Sequence, residues 1–110
     1  MLKKQWRLKR NSDFKRIFSV KHSSGSRYVV AYVHRGERKY GFIASKKVGK
    51  AVERNRAKRL MREVVRRHWN NLDPNQQIIL IARPSIKGIP YSEVEKSIVS
   101  VLRRVGVWKE

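Results

Sequence analysis

Residues 46–67 carry ten Lys and Arg side chains against two Glu, and no other stretch has residue types and spacing that point so directly to chemistry. Lys46, Lys47, Lys50 and Lys58 stand among Arg54, Arg56, Arg59, Arg62, Arg66 and Arg67. Ala57, Leu60, Met61, Val64 and Val65 recur at helical spacing, so a helix over residues 54–68 carries a single apolar stripe. At roughly 100° per residue, Asn55, Arg59, Arg62 and Arg66 point away from that stripe. The chemistry of such a face is anion recognition. A guanidinium fork bridges two phosphate oxygens or stacks on a base. A merely solvated helix mixes signs, with Glu four residues before Lys or Arg, whereas this one is almost wholly positive. A membrane-surface helix would need its apolar stripe free, and here that stripe must cover the rest of the fold.

Chemistry borne by the chain itself has no comparable signal. His22, His34 and His68 are scattered, without metal-ligand spacing or a carboxylate pattern, and read as surface or helix-end residues. Glu53 and Glu63 lie ten residues apart, about three helical turns, too far for a hydrolytic pair. Gly49-Lys50 lacks the leading glycine of a phosphate loop and has Ala51 where Ser or Thr is required. Cysteine is absent, which excludes disulfides and thiolate metal sites. No catalytic residue and no metal ligand is therefore assigned to the chain.

Composition agrees with the charged helix. With 28 Lys+Arg and 8 Asp+Glu, the net charge is +20. Such self-repulsion is relieved by a polyanion, and nucleic acid also returns the free energy of counterion release. A length of 110 residues suits one domain over 1–110, with residues 1–10 as a basic, partly extended segment. The N-terminus lacks the apolar run of a secretory signal, and no apolar run approaches the roughly 18 residues of a membrane span. A soluble, cytoplasmic protein without membrane contact is expected.

The elements that must hold the charged helix are also legible. Asn11 offers a helix cap with Asp13 in the first turn, and Phe14, Ile17 and Phe18 share one face. Residues 21–26 read as a loop. A strand over 27–34 sets Val29, Ala31 and Val33 against Tyr28, Val30 and Tyr32 on the other face. Arg35-Gly36-Glu37-Arg38 reads as a hairpin turn, with a return strand over 39–45 carrying Tyr40, Phe42 and Ala44 on one side. Ile78-Ile79-Leu80-Ile81-Ala82, within a strand over 77–83, is apolar on both faces and predicts a central position. A capping box of Ser92 and Glu95 opens the last helix and Gly106 stops it. The order of elements predicts a layered α/β (α+β) sandwich.

The run from Ser45 to Arg59 resembles the signature of the bacterial ribonuclease P protein subunit, whose hallmark is an Arg-Asn-Arg helix, here Arg54-Asn55-Arg56. The resemblance extends to Leu8–Phe14 with Phe18 and to Ile79–Pro84, and so covers almost the whole chain. It implies a four-stranded sheet packed with about three helices, and a left-handed βαβ crossover containing the Arg-Asn-Arg helix. It implies further that the catalytic centre lies in a partner RNA, which uses Mg²⁺ to remove the 5′ leader of precursor tRNA. The protein, one monomer per ribonuclease P RNA and with no cofactor of its own, would bind that RNA through Lys46, Lys47, Lys50, Arg54, Asn55, Arg56, Arg59 and Arg66. The single-stranded leader would lie in a cleft between the sheet and the N-terminal helix. Phe14, Phe18 and Tyr32 would line it with Lys58 and Arg62, while Tyr28 and Val30 share the surface. Rings accept any unpaired base, which suits leaders of varied sequence. Core packing is the competing account of the two Phe. A structural ribosomal protein or a helix-turn-helix DNA regulator would share the basic character, but lacks, respectively, a reason for the aromatics or has a short helix this chain does not.

Overall fold

The computed structural model describes residues 3–109. The elements run α1 (Asn11–Val20), β1 (Ser23–Gly25), β2 (Val29–Arg35), β3 (Lys39–Ile43), α2 (Ala51–Arg67), β4 (Gln76–Ala82) and α3 (Tyr91–Arg104), with short 3-10 turns between some of them. The four strands form one mixed sheet in the order β1-β2-β4-β3.

β4 takes the centre because its apolar run needs cover on both faces. Ile78, Leu80 and Ala82 join the larger core with α2 and α3. Ile79 and Ile81 face α1, where Leu8 and Ile17 meet them. The sheet is thus a middle layer, with two helices on one side and one on the other. β2 runs antiparallel to β4, with Ala31 opposite Leu80, and β3 runs parallel to it, with Phe42 opposite Leu80. A parallel pair cannot be closed by a tight turn, so α2 serves as the crossover helix.

This arrangement corrects the hairpin reading of residues 35–38. β2 and β3 are not hydrogen-bonded to each other, because β4 lies between them. Strands two places apart are separated by about 9.6 Å, and three extended residues span roughly that distance. Gly36, Glu37 and Arg38 therefore bridge the start of β4, and the Gly36 N–H donates to Asn75 O at 2.9 Å.

Three other local readings change. Residues 23–25, read as loop, form the edge strand β1, whose register places Ser23 opposite Tyr32 and Gly25 opposite Val30. Asn11 is the first residue of α1 rather than its cap, since Arg10 holds that position without a side-chain bond. Ser92 and Glu95 form no capping box. α3 starts at Tyr91 after Pro90, and Glu95 is taken up elsewhere.

The N-terminal segment is pinned rather than loose. Lys4–Trp6 make a 3-10 turn, Arg7 bridges Tyr40, and the Leu8 N–H donates to Tyr40 O at 2.8 Å. For Met1 and Leu2 the expectation of a partly extended segment falls outside the described residues. Arg38 anchors this edge. Its guanidinium lies 3.5 Å from the Trp69 ring centroid, and it donates to Trp69 O at 2.7 Å and to the Tyr40 hydroxyl at 3.0 Å. Trp6 meets Trp69 edge-on at 5.2 Å. Among the described residues, no helix is long and apolar enough to cross a membrane.

Gly106 ends α3 as expected. Its φ of 81° is left-handed, the Val107 N–H donates to Leu102 O at 3.1 Å, and the Gly106 N–H donates to Arg103 O at 3.1 Å. Both bonds satisfy carbonyls that the helix end leaves open. No atom lies within 4 Å of where a Cβ would stand, so substitution strains only the backbone. Gly106→Ala is expected to lower stability by about 1–2 kcal/mol. The check is a shift of the urea midpoint at constant slope, and an unchanged midpoint would refute it.

Candidate nucleic-acid interface

The entry to α2 is built by two residues. Gly49 has φ 146°, and any Cβ there would collide with the Glu53 carboxylate. That carboxylate accepts the Lys50 N–H at 2.8 Å and pairs with Lys87 Nζ at 3.0 Å. The Lys50 backbone bond, foremost, and then Lys87 hold the Glu53 pKa below the usual carboxylate range. An acid in the first turn also complements the helix dipole. Gly49-Lys50 is thus a helix entry.

From there the helix presents its charges as the periodicity implies, with two exceptions. Ala57, Met61, Val64 and Val65 are buried against the sheet, and Leu60 is half-buried at their margin. Lys46, Lys47, Lys50, Asn55, Arg56, Arg59 and Arg66 are exposed, and Arg54 is half-buried. Arg66, however, is occupied. It grips Glu63 through two bonds of 2.7 Å, and that contact above all holds the Glu63 carboxyl down to about 2.

The second exception is Arg62, which does not point away from the apolar stripe. It is half-buried, its guanidinium stands 5.7 Å from the Phe42 ring centroid, and its Nε is enclosed with no hydrogen-bond partner among the described residues. Burial first, and then the neighbouring charge of Arg7, pull its pKa down from the ordinary guanidinium value. Arg7 and Arg62 are thus within electrostatic reach of each other. Lys58, half-buried, precedes Arg62 by about one turn.

A different surface gathers the rings. Phe14, Phe18 and Tyr32, each half-buried, pack around Leu8, Ile17 and Ile79 on the α1 face of the sheet. Phe18 meets Tyr32 edge-on at 4.9 Å. Ile17 and Ile79 are wholly buried, so these two residues rather than the rings seal the layer. Phe14 comes close because residue 41 is glycine, where a Cβ would stand 2.7 Å from the ring. Arg16 ties α1 down, donating to Gln77 Oε1 at 2.8 Å and to Asp13 at 2.9 Å. Half-exposed Val30, Ile43 and Ile81 widen the same face. Tyr28 does not share it. That ring packs against the larger core, and the Tyr28 N–H donates to Ser97 Oγ at 3.3 Å.

The three rings are thus brought together, whereas Arg62 stands beside Phe42, which packs against the opposite core, and Lys58 precedes Arg62 on α2. Sequence reasoning placed Phe42 on a strand face without giving it a part in the site, and it passed over Arg7, for which no local signal exists. It also passed over Val52, which helical spacing sets beside Arg56 and Arg59 on the polar face. His68 gained a partner. Its Nε2 lies 2.8 Å from Glu95 Oε2, across from α2 to α3, and Tyr91 donates to the same oxygen at 3.2 Å. That pair joins two helices, and among the described residues no three His, Asp or Glu side chains gather.

A mixed sheet layered between helices, with a cationic crossover helix and a separate half-exposed aromatic face, defines a small basic α+β protein whose charged helix is suited to a polyanion. A family model described as Ribonuclease P matches residues 2–106. A ribonuclease P protein component from an Exiguobacterium strain is 38% identical over 112 residues, covering 99% of this chain and 97% of the relative. The solved RNase P protein of Staphylococcus aureus is 34% identical with a TM-score of 0.83, over 100% of this chain and 97% of that one. The RNase P protein of Thermotoga maritima is 26% identical with a TM-score of 0.75, over 89% of this chain and 96% of that one. The chain belongs to the ribonuclease P protein family.

Proposed function

We propose that this chain is the RNA-binding protein subunit of a ribonuclease P that works in the cytoplasm as a ribonucleoprotein, one protein per RNA. Its partner RNA would carry the catalytic centre and use Mg²⁺, and the substrate would be precursor tRNA, cut at the 5′ end of the mature sequence. The observation that carries the reading is α2, whose exposed cations ride on a stripe buried in the core. Lys46, Lys47, Lys50, Arg54, Asn55, Arg56 and Arg59 would contact the catalytic RNA, with Arg66 contributing after exchange from Glu63. Phe14, Phe18 and Tyr32 would stack unpaired leader bases, while Lys58 and Arg62, with Arg7, would hold leader phosphates as the strand passes the β3 edge.

Arg59 gives the cleanest test, because it is exposed and its side chain has no hydrogen-bond or ion-pair partner among the described residues. Arg59→Ala is expected to weaken binding to a bacterial ribonuclease P RNA and to flatten the salt dependence by roughly 0.7–0.9 log unit. Its melting temperature should hold. Arg62→Ala is expected to lower stability as well, since it also removes a half-buried contact with Phe42. A wild-type salt slope for Arg59→Ala would refute the assignment.

A further inference from the structure

A groove of about 640 Å³ runs beside α2 toward the start of α3, and its lining includes Val52, Arg56, Arg59, Leu60, Glu63 and Tyr91. Its size lies within the roughly 300–1,000 Å³ of small-ligand sites. The floor is apolar. Val52 is 75% exposed, the most open large aliphatic side chain among the described residues, and nothing in the fold covers it. Leu60 and the Tyr91 ring, both half-buried, continue that surface. The rim is cationic. Arg56 is fixed there by one bond to Ile89 O at 2.9 Å, and Arg59 is held by none among the described residues. The one acid, Glu63, is already neutralised by Arg66 and Arg67 at 2.7 and 3.2 Å.

We infer that this groove receives a single unstacked base of a folded RNA, whose flanking phosphates sit on Arg56 and Arg59. The inference rests on the reading of α2 as an RNA-binding helix, and adds base insertion to what would otherwise be contact with phosphates alone. An apolar floor inside a guanidinium rim matches a flat ring carried between two anions. A duplex backbone would use the rim and leave Val52 in water. Tyr91 suits the floor because Arg67 lies 4.9 Å from its ring centroid and its hydroxyl is tied to Glu95, which fixes the ring. Arg and aromatic surfaces stack bases with little sequence preference.

Phosphate contact and base insertion differ in salt dependence, which makes the two separable. Val52→Ser removes apolar floor at an exposed position, so folding is expected to be normal. Affinity for a bacterial ribonuclease P RNA should fall about fivefold at every salt concentration, with the slope unchanged. Arg59→Ala should instead change the slope. A benzophenone side chain placed at position 52 of the full chain should photo-crosslink to one unpaired nucleotide of that RNA. Wild-type affinity for Val52→Ser, crosslinks confined to base-paired nucleotides, or crosslinks to a second copy of the protein would each overturn the inference while leaving the role of α2 intact. If Arg59→Ala also retains the wild-type slope, the reading of α2 falls with it.

Discussion

Purified free of RNA, the protein should leave precursor tRNA uncut, and adding a bacterial ribonuclease P RNA should yield correct 5′ cleavage at several-fold lower Mg²⁺ than the RNA needs alone. The first half follows from the disposition of its acids and histidines. The His68–Glu95 contact joins α2 to α3 beside Tyr91, and Glu95 is held below the usual carboxylate range by His68 first and then Tyr91. Glu53 and Glu63 are each engaged by cations of their own surroundings. None of these four side chains is left poised as a general base. The second half follows from charge. A net +20 brought to the junction of two RNAs offsets repulsion that divalent ions would otherwise have to screen. The check is cleavage of 5′-labelled precursor tRNA across a Mg²⁺ series, with and without protein. Cleavage by RNA-free protein, or a Mg²⁺ midpoint that the protein does not move, would refute the proposal.

Tyr32→Ala is expected to weaken precursor tRNA binding to the assembled enzyme by about 1–3 kcal/mol, the scale of one lost base stack. Mature tRNA, which has no leader, should bind as before. Tyr32 is the right ring to remove because Ile17 and Ile79, both wholly buried, close the layer beneath it. Its edge-on contact with Phe18 at 4.9 Å makes those two residues couple, so the Phe18→Ala effect should not add independently. Phe14→Ala would in addition open space over Gly41. Affinity for the ribonuclease P RNA should be nearly unchanged, because that contact is assigned to α2. Equal losses for precursor and mature tRNA would show that the aromatic face serves packing.

The charged helix, the central strand and the last helix stop are all legible in the sequence, and for one reason. Each is set by residues close in sequence. A 3.6-residue apolar stripe ending in Val64 and Val65, a two-sided apolar run at Ile78–Ala82, and a glycine after α3 declare their geometry locally. The family signature likewise lies in one unbroken run from Ser45 to Arg59.

Tertiary structure decided what depends on partners distant in the chain. Ser23–Gly25 is a strand only because β2 offers it an edge, since Ser-Ser-Gly has no apolar pattern of its own. The hairpin reading failed because a turn-like tetrapeptide cannot report that a strand forty residues later will be inserted across it. Arg62 lies on the arc that periodicity assigns to solvent. Yet Phe42 and Arg7 rise beside that arc, because the N-terminal segment is pinned along β3. Glu95 gave up a helix cap for His68 of another helix. Side chains of this length choose among several partners within reach, and the pairing of strands and packing of helices determine which partner arrives.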